Sequence, residues 1–168
     1  MASTTNTQST IANADGSDDS DLLAADVAWD LEPLVDGRGA SGVDSLLDDA
    51  QRGAQELEGF RGRVAELDAK ELAELMEALG SLEEVVGRAG SYASLAYSVD
   101  TADPEAGALM QRFEERATAI QTTLVFIELE WAAVDDVRAA ALLADDRLAF
   151  CRHHLESARR YRPHLLSE

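Results

Sequence analysis

The chain has 168 residues, of which 46% are apolar and only 5% aromatic, with three prolines, one cysteine and a formal net charge of −19. That length supports one domain with a real core, and an Ala- and Leu-rich composition poor in aromatics favours helices over strands, so an all-α fold is expected. The charge argues against nucleic acid, whose phosphates need a cationic footprint; a lone Cys151 excludes an intrachain disulfide, and no run reaches the ~20 apolar residues of a membrane span.

Residues 1–28 are rich in Ser, Thr, Asn, Asp and Ala and contain no basic residue. They read as a disordered acidic tail, because such a composition buries too little apolar surface to offset its ordering entropy. Neither a basic n-region nor an apolar run marks a secretory signal, so a cytoplasmic location is expected.

Trp29-Asp30-Leu31-Glu32-Pro33-Leu34 is expected to be an extended strap, since Pro33 disfavours helix at the residue before it. The glycines of 37–42 read as a flexible link. Val43, Leu46, Leu47, Ala50, Ala54 and Leu57 then recur at spacings of three and four, which predicts a helix over about residues 43–59. A connection follows, with a turn at Gly62.

Asp68 stands as an N-cap with Glu71 three residues on, the capping-box pattern. Behind it, Leu72, Leu75, Leu79, Leu82, Val86, Ala89, Ala93 and Ala96 form one stripe, predicting a helix that ends at Ser98 or Val99. Gly80, Gly87 and Gly90 within it predict close packing or a bend, because each costs about 1 kcal/mol against Ala in a helix.

Asp103-Pro104-Glu105 opens the next helix, with Asp as cap and Pro where no N–H is needed. Leu109, Phe113, Ala117, Ile120, Leu124, Ile127, Trp131 and Val134 line one face, flanked by Met110 and Phe126. So wide a stripe calls for more than one packing partner. A short helix after Asp135-Asp136 and another from about Arg147 to Tyr161, with Leu148, Cys151, Leu155 and Ala158 inward, complete the expectation. No internal repeat is present. The final Ser167-Glu168 has the form of a further helix start, so residues 29–168 are expected to be a helical lobe that continues beyond the chain end.

No His-Glu-x-x-His motif is present, so paired imidazoles at i and i+4 cannot converge on a catalytic zinc. His153 and His154 diverge by about 100° on a helix, His164 stands apart, and the pair His153 and Glu156 lacks a second pair. The histidines instead read as surface groups in a basic segment with Arg147, Arg152, Arg159, Arg160 and Arg162, which is expected to pair with carboxylates of the long helices. No phosphate-binding glycine loop occurs, and Cys151 lacks a neighbouring base and reads as a core residue. Glu114, Glu115, Glu128 and Glu130 read as solvated helix faces.

Three segments carry more than composition. The run from Gly87 to Pro104 (Gly-Arg-Ala-Gly-Ser-Tyr-Ala-Ser-Leu-Ala-Tyr-Ser-Val-Asp-Thr-Ala-Asp-Pro), the ending Arg159-Arg160-Tyr161-Arg162-Pro163-His164-Leu165-Leu166-Ser167-Glu168, and Trp29-Asp30-Leu31 resemble the N-terminal helical region of oligoendopeptidase F-type zinc metallopeptidases, relatives of thimet oligopeptidase. The resemblance implies a longer cytoplasmic enzyme that cuts oligopeptides in a channel between helical lobes, with zinc held far downstream by His-Glu-x-x-His and a further glutamate. None of those ligands falls on this sequence. No catalytic or metal residue is therefore assigned in this chain, its substrate-binding residues stay unknown, and alone it is expected to be inactive and zinc-free. The implied partners are oligopeptides and the downstream catalytic region, without nucleic acid or membrane. The competing expectation is a free-standing helical interaction module; a carboxylate-bridged metal bundle would need Glu-x-x-His pairs on two helices, which are lacking.

Overall fold

A computed structural model describes residues 29–164. The expected acidic tail and the Ser167-Glu168 helix start lie outside the described residues. Residues 1–30 and 31–168 form two separate units, and every described helix lies in the second. Among the described residues every regular element is helical: α1 (Gly39–Leu57), α2 (Ala69–Val99), α3 (Pro104–Ala133), α4 (Asp136–Leu143) and α5 (Arg152–Arg160), with short 3-10 turns before α1, between α1 and α2, between α4 and α5, and after α5.

The two long helices form as the caps predict. The Asp68 carboxylate accepts from the backbone N–H groups of Lys70 and Glu71 while the Glu71 side chain accepts from Asp68 N–H, a complete capping box. Asp103 accepts from Glu105 N–H with Pro104 in the first turn. The predicted stripes face inward: Leu72, Leu75, Leu82, Ala89 and Ala93 of α2 are buried in one core with Leu109, Ile120, Ile127 and Trp131 of α3. Helix α1 packs on both long helices through Val43, Leu46, Leu47, Ala50 and Ala54.

The entry segment differs from the expected extended strap. Glu32–Val35 is a 3-10 turn with Pro33 at its N-terminal end, where a missing N–H costs nothing. Its anchor is Val35, fully buried, whereas Trp29 is 78% exposed. Arg88 of α2 fastens the turn, donating to the Leu34 carbonyl at 3.0 Å and to Asp36 at 2.8 Å. The Tyr92 hydroxyl adds a bond to Glu32 at 3.2 Å.

Helix α1 also starts earlier than predicted, at Gly39. The Glu32 carboxylate accepts from Gly39 N–H at 3.1 Å, a tertiary substitute for a local cap. Gly42, read as part of a flexible link, is instead a packing residue: a Cβ there would stand 2.5 Å from the Val35 carbonyl oxygen. Gly62 turns with φ of 77° as predicted. Of the three α2 glycines, only Gly90 is in close contact, its missing Cβ leaving room for the Phe113 ring; Gly80 and Gly87 have open space beside them.

The last predicted helix is two pieces. Asp145 caps a 3-10 turn at Asp146–Leu148 and α5 begins only at Arg152. Arg152 bridges the break, donating to the carbonyls of Leu143 at 2.8 Å and Asp145 at 3.3 Å. This path turns both Leu148 and Cys151 inward.

Candidate functional site

The face of the long hairpin lined by α5 carries a groove of about 730 Å³. Its floor is the helical stripe itself: Met76 and Leu82 of α2, Ile120, Ile127 and Trp131 of α3, and Leu155 of α5. Leu79 and Val86, half-buried, and Val125, exposed, leave the rims apolar too. The polar residues that border it are Glu83, Gln121, Glu128, His154, Ser157 and Tyr161. Leu79, Val86 and Leu124, all predicted as core, are thus only partly covered. Their stripe is wider than the described helices bury.

Helix α5 is held in place as one wall by a buried polar joint. Trp131 Nε1–H donates to the Leu155 carbonyl at 2.8 Å. Arg159 donates to the Trp131 carbonyl at 2.9 Å and lies 5.5 Å from the Trp131 ring centroid, a cation–π distance. Asp136, at the start of α4, accepts from both Arg159 and Arg162. The basic segment therefore pairs locally, with Arg147 on Asp145 as well, and not with carboxylates of the long helices as expected; a carbonyl, that of Trp131, is what Arg159 takes from α3.

A second joint holds the 58–67 connection. Glu130, expected to be solvated, accepts from the backbone N–H groups of Gly62 at 2.6 Å and Val64 at 3.1 Å. Arg138 of α4 donates to the carbonyls of Ala65 and Leu67 at 2.7 and 2.9 Å. Arg61 lies over the Phe126 ring at 4.5 Å from its centroid. Loop backbone groups without helical partners are satisfied by these side chains. A capping or loop-binding role for one carboxylate among many leaves no mark in a single sequence.

The chemistry-bearing residues do not converge. His153, His154 and Glu156 are exposed, and His154 borders the groove while His153 does not. Among the described residues no three His, Cys, Asp or Glu side chains are placed to hold a metal ion. Cys151 is buried and free, and burial pushes its thiol above the usual range, which suppresses the reactive thiolate. Glu114 stands exposed and Glu115 accepts from Gln111 at 2.9 Å. Among the described residues no helix is long and apolar enough to cross a membrane.

Residues 130–168 match the family model described as Oligopeptidase F, a model of the N-terminal region of these peptidases. The matched stretch includes the ending from Arg159 on which the resemblance partly rested, and it begins at Glu130, the residue that fastens the 58–67 connection. The segments at 29–31 and 87–104 lie outside it. No curated protein and no solved structure matches the chain.

Proposed function

We propose that residues 29–168 are the N-terminal, non-catalytic lobe of a zinc-dependent cytoplasmic endopeptidase that cuts oligopeptides, and that the lobe shapes the channel through which substrates reach the catalytic region. The observation that carries this reading is the family match at 130–168, because its residues are structural ones. Glu130, Trp131, Asp136, Arg138 and Arg159 hold α4, α5 and the 58–67 connection onto the long hairpin. A segment built to hold helices in register contributes shape to an enzyme.

In such an enzyme a zinc ion bound by ligands outside the described residues would supply the Lewis-acid activation that peptide-bond hydrolysis needs. On this reading the catalytic motif and the second wall of the channel lie in a region downstream of this lobe. Rigid walls and a narrow entry then select unstructured peptides over folded proteins.

The test is the mass of the endogenous product, detected in source-cell extract with an antibody against residues 104–134. A species several times heavier than 18.1 kDa, with chelator-sensitive oligopeptide cleavage in the same immunoprecipitate, is the expected result. A product at 18.1 kDa would overturn it. The second reading, a free-standing helical interaction module, is favoured by the open apolar groove and would then stand.

A further inference from the structure

We infer that the groove between α2, α3 and α5 is a docking site for an amphipathic α-helix of about three turns whose apolar face is flanked by lysine or arginine.

The shape comes first. The α2 wall runs from Met76 to Gly87 and the α3 wall from Ile120 to Trp131, each about 16 Å at 1.5 Å per residue. Both walls are helix surfaces with side chains repeating every three or four residues, the form that receives the ridges of a third helix. An extended peptide is a poor fit. Its backbone N–H and C=O groups need partners when buried, and these walls are helix interiors whose own backbone groups are bonded within each helix. A helix brings its backbone bonds with it and needs only an apolar face to match Leu79, Val86, Leu124 and Val125.

Charge decides what flanks that face. Among the described residues two carboxylates, Glu83 on α2 and Glu128 on α3, border the groove and no lysine or arginine does. The basic residues of the two long helices are committed elsewhere: Arg88 to Asp36, Arg112 and Arg116 to Asp44 and Asp48 on the α1 side, and Lys70 to Glu74. Neither Glu83 nor Glu128 has a hydrogen bond or ion pair among the described residues. The α1 face of the hairpin is thus neutralised by its own arginines while the groove face keeps its negative charge. A basic-flanked helix satisfies both carboxylates, and a second copy of a chain carrying −19 would be repelled by them.

The experiment uses the 168-residue chain and two fluorescein-labelled helical peptides of identical Leu/Ala apolar face, one flanked by lysines and one by glutamates, read by fluorescence anisotropy at low salt. The lysine peptide is expected to bind about tenfold or more tightly than its glutamate counterpart. Glu83→Gln with Glu128→Gln is expected to erase most of that difference. Val125→Arg, at an exposed position that leaves folding intact by circular dichroism, is expected to weaken the lysine peptide about tenfold or more. No binding by the lysine peptide, equal binding by both, or binding indifferent to Val125→Arg would overturn the proposal. So would a dimer abolished by Val125→Arg, which would make the occupant a second copy. The inference holds whether or not the chain is part of a peptidase, so its failure leaves the proposed function untouched.

Discussion

Trp131 and Leu155 are joined by a buried hydrogen bond from the indole Nε1–H to the backbone carbonyl, 2.8 Å long, and through it the end of α3 sets the position of α5. Trp131 is 1% exposed, so removing the indole N–H leaves the Leu155 carbonyl without its buried partner. Trp131→Phe is expected to destabilise the chain by about 1–3 kcal/mol, from the lost bond and the smaller ring. Urea unfolding checks this, and hydrogen exchange should show the loosening concentrated in α5.

Glu130 holds the 58–67 connection by its two backbone bonds. Charge-assisted bonds of this kind are worth about 1.5–3 kcal/mol, so Glu130→Ala should cost a comparable amount. The amides of Gly62 and Val64 should exchange faster with solvent while those of α1 keep their protection relative to global stability. A uniform change across the chain would show that the carboxylate has no local role.

Two glycines should respond with opposite signs. Gly42→Ala drives a methyl toward the Val35 carbonyl, 2.5 Å away, and backbone cannot yield as a side-chain tip can; a loss of about 1–3 kcal/mol is expected. Gly80→Ala meets nothing within 4 Å and replaces a poor helix former by the best, so a gain of up to about 1 kcal/mol is expected. Thermal melts of the two variants settle both.

The N-cap of α2 makes stability depend on acid pH. The Glu71 backbone N–H, with help from that of Lys70 and from the Lys70 charge, holds the Asp68 carboxyl below its ordinary value of 3.8. A carboxyl with a depressed folded-state pKa contributes stability that is present above the ordinary value and is lost as pH falls through the lower, folded one. Asp68→Asn keeps the cap oxygen without the titration. Its unfolding free energy should therefore fall less steeply than that of the parent as pH is lowered below 3.8, as read from denaturant midpoints across that range.

Local signals determined most of the fold. Asp68 with Glu71, and Asp103 with Pro104, fix where α2 and α3 begin, because a cap acts within one turn of its own helix. The stripes from Leu72 and from Leu109 fix which faces turn inward, because helical period alone sets that geometry. Where sequence and structure part, the deciding partner lies beyond the helical turn it acts on, from seven residues away for Glu32 on Gly39 to 68 for Glu130 on Gly62. The start of α1 depends on Glu32, the turn at Glu32–Val35 on Arg88, and the 58–67 connection on Glu130. The break before α5 is bridged by Arg152, which donates to the Leu143 carbonyl at the end of α4 and to that of Asp145 beyond it. The candidate site belongs to the same class. Leu79, Val86 and Leu124 could be read as core from their spacing, yet only the packing of α1 on one face and α5 along one edge leaves them as the walls of a groove. Periodicity says that a side chain is apolar and inward; how much of it is covered depends on which helices arrive, and that is decided by long-range packing and by which carboxylates the arginines choose.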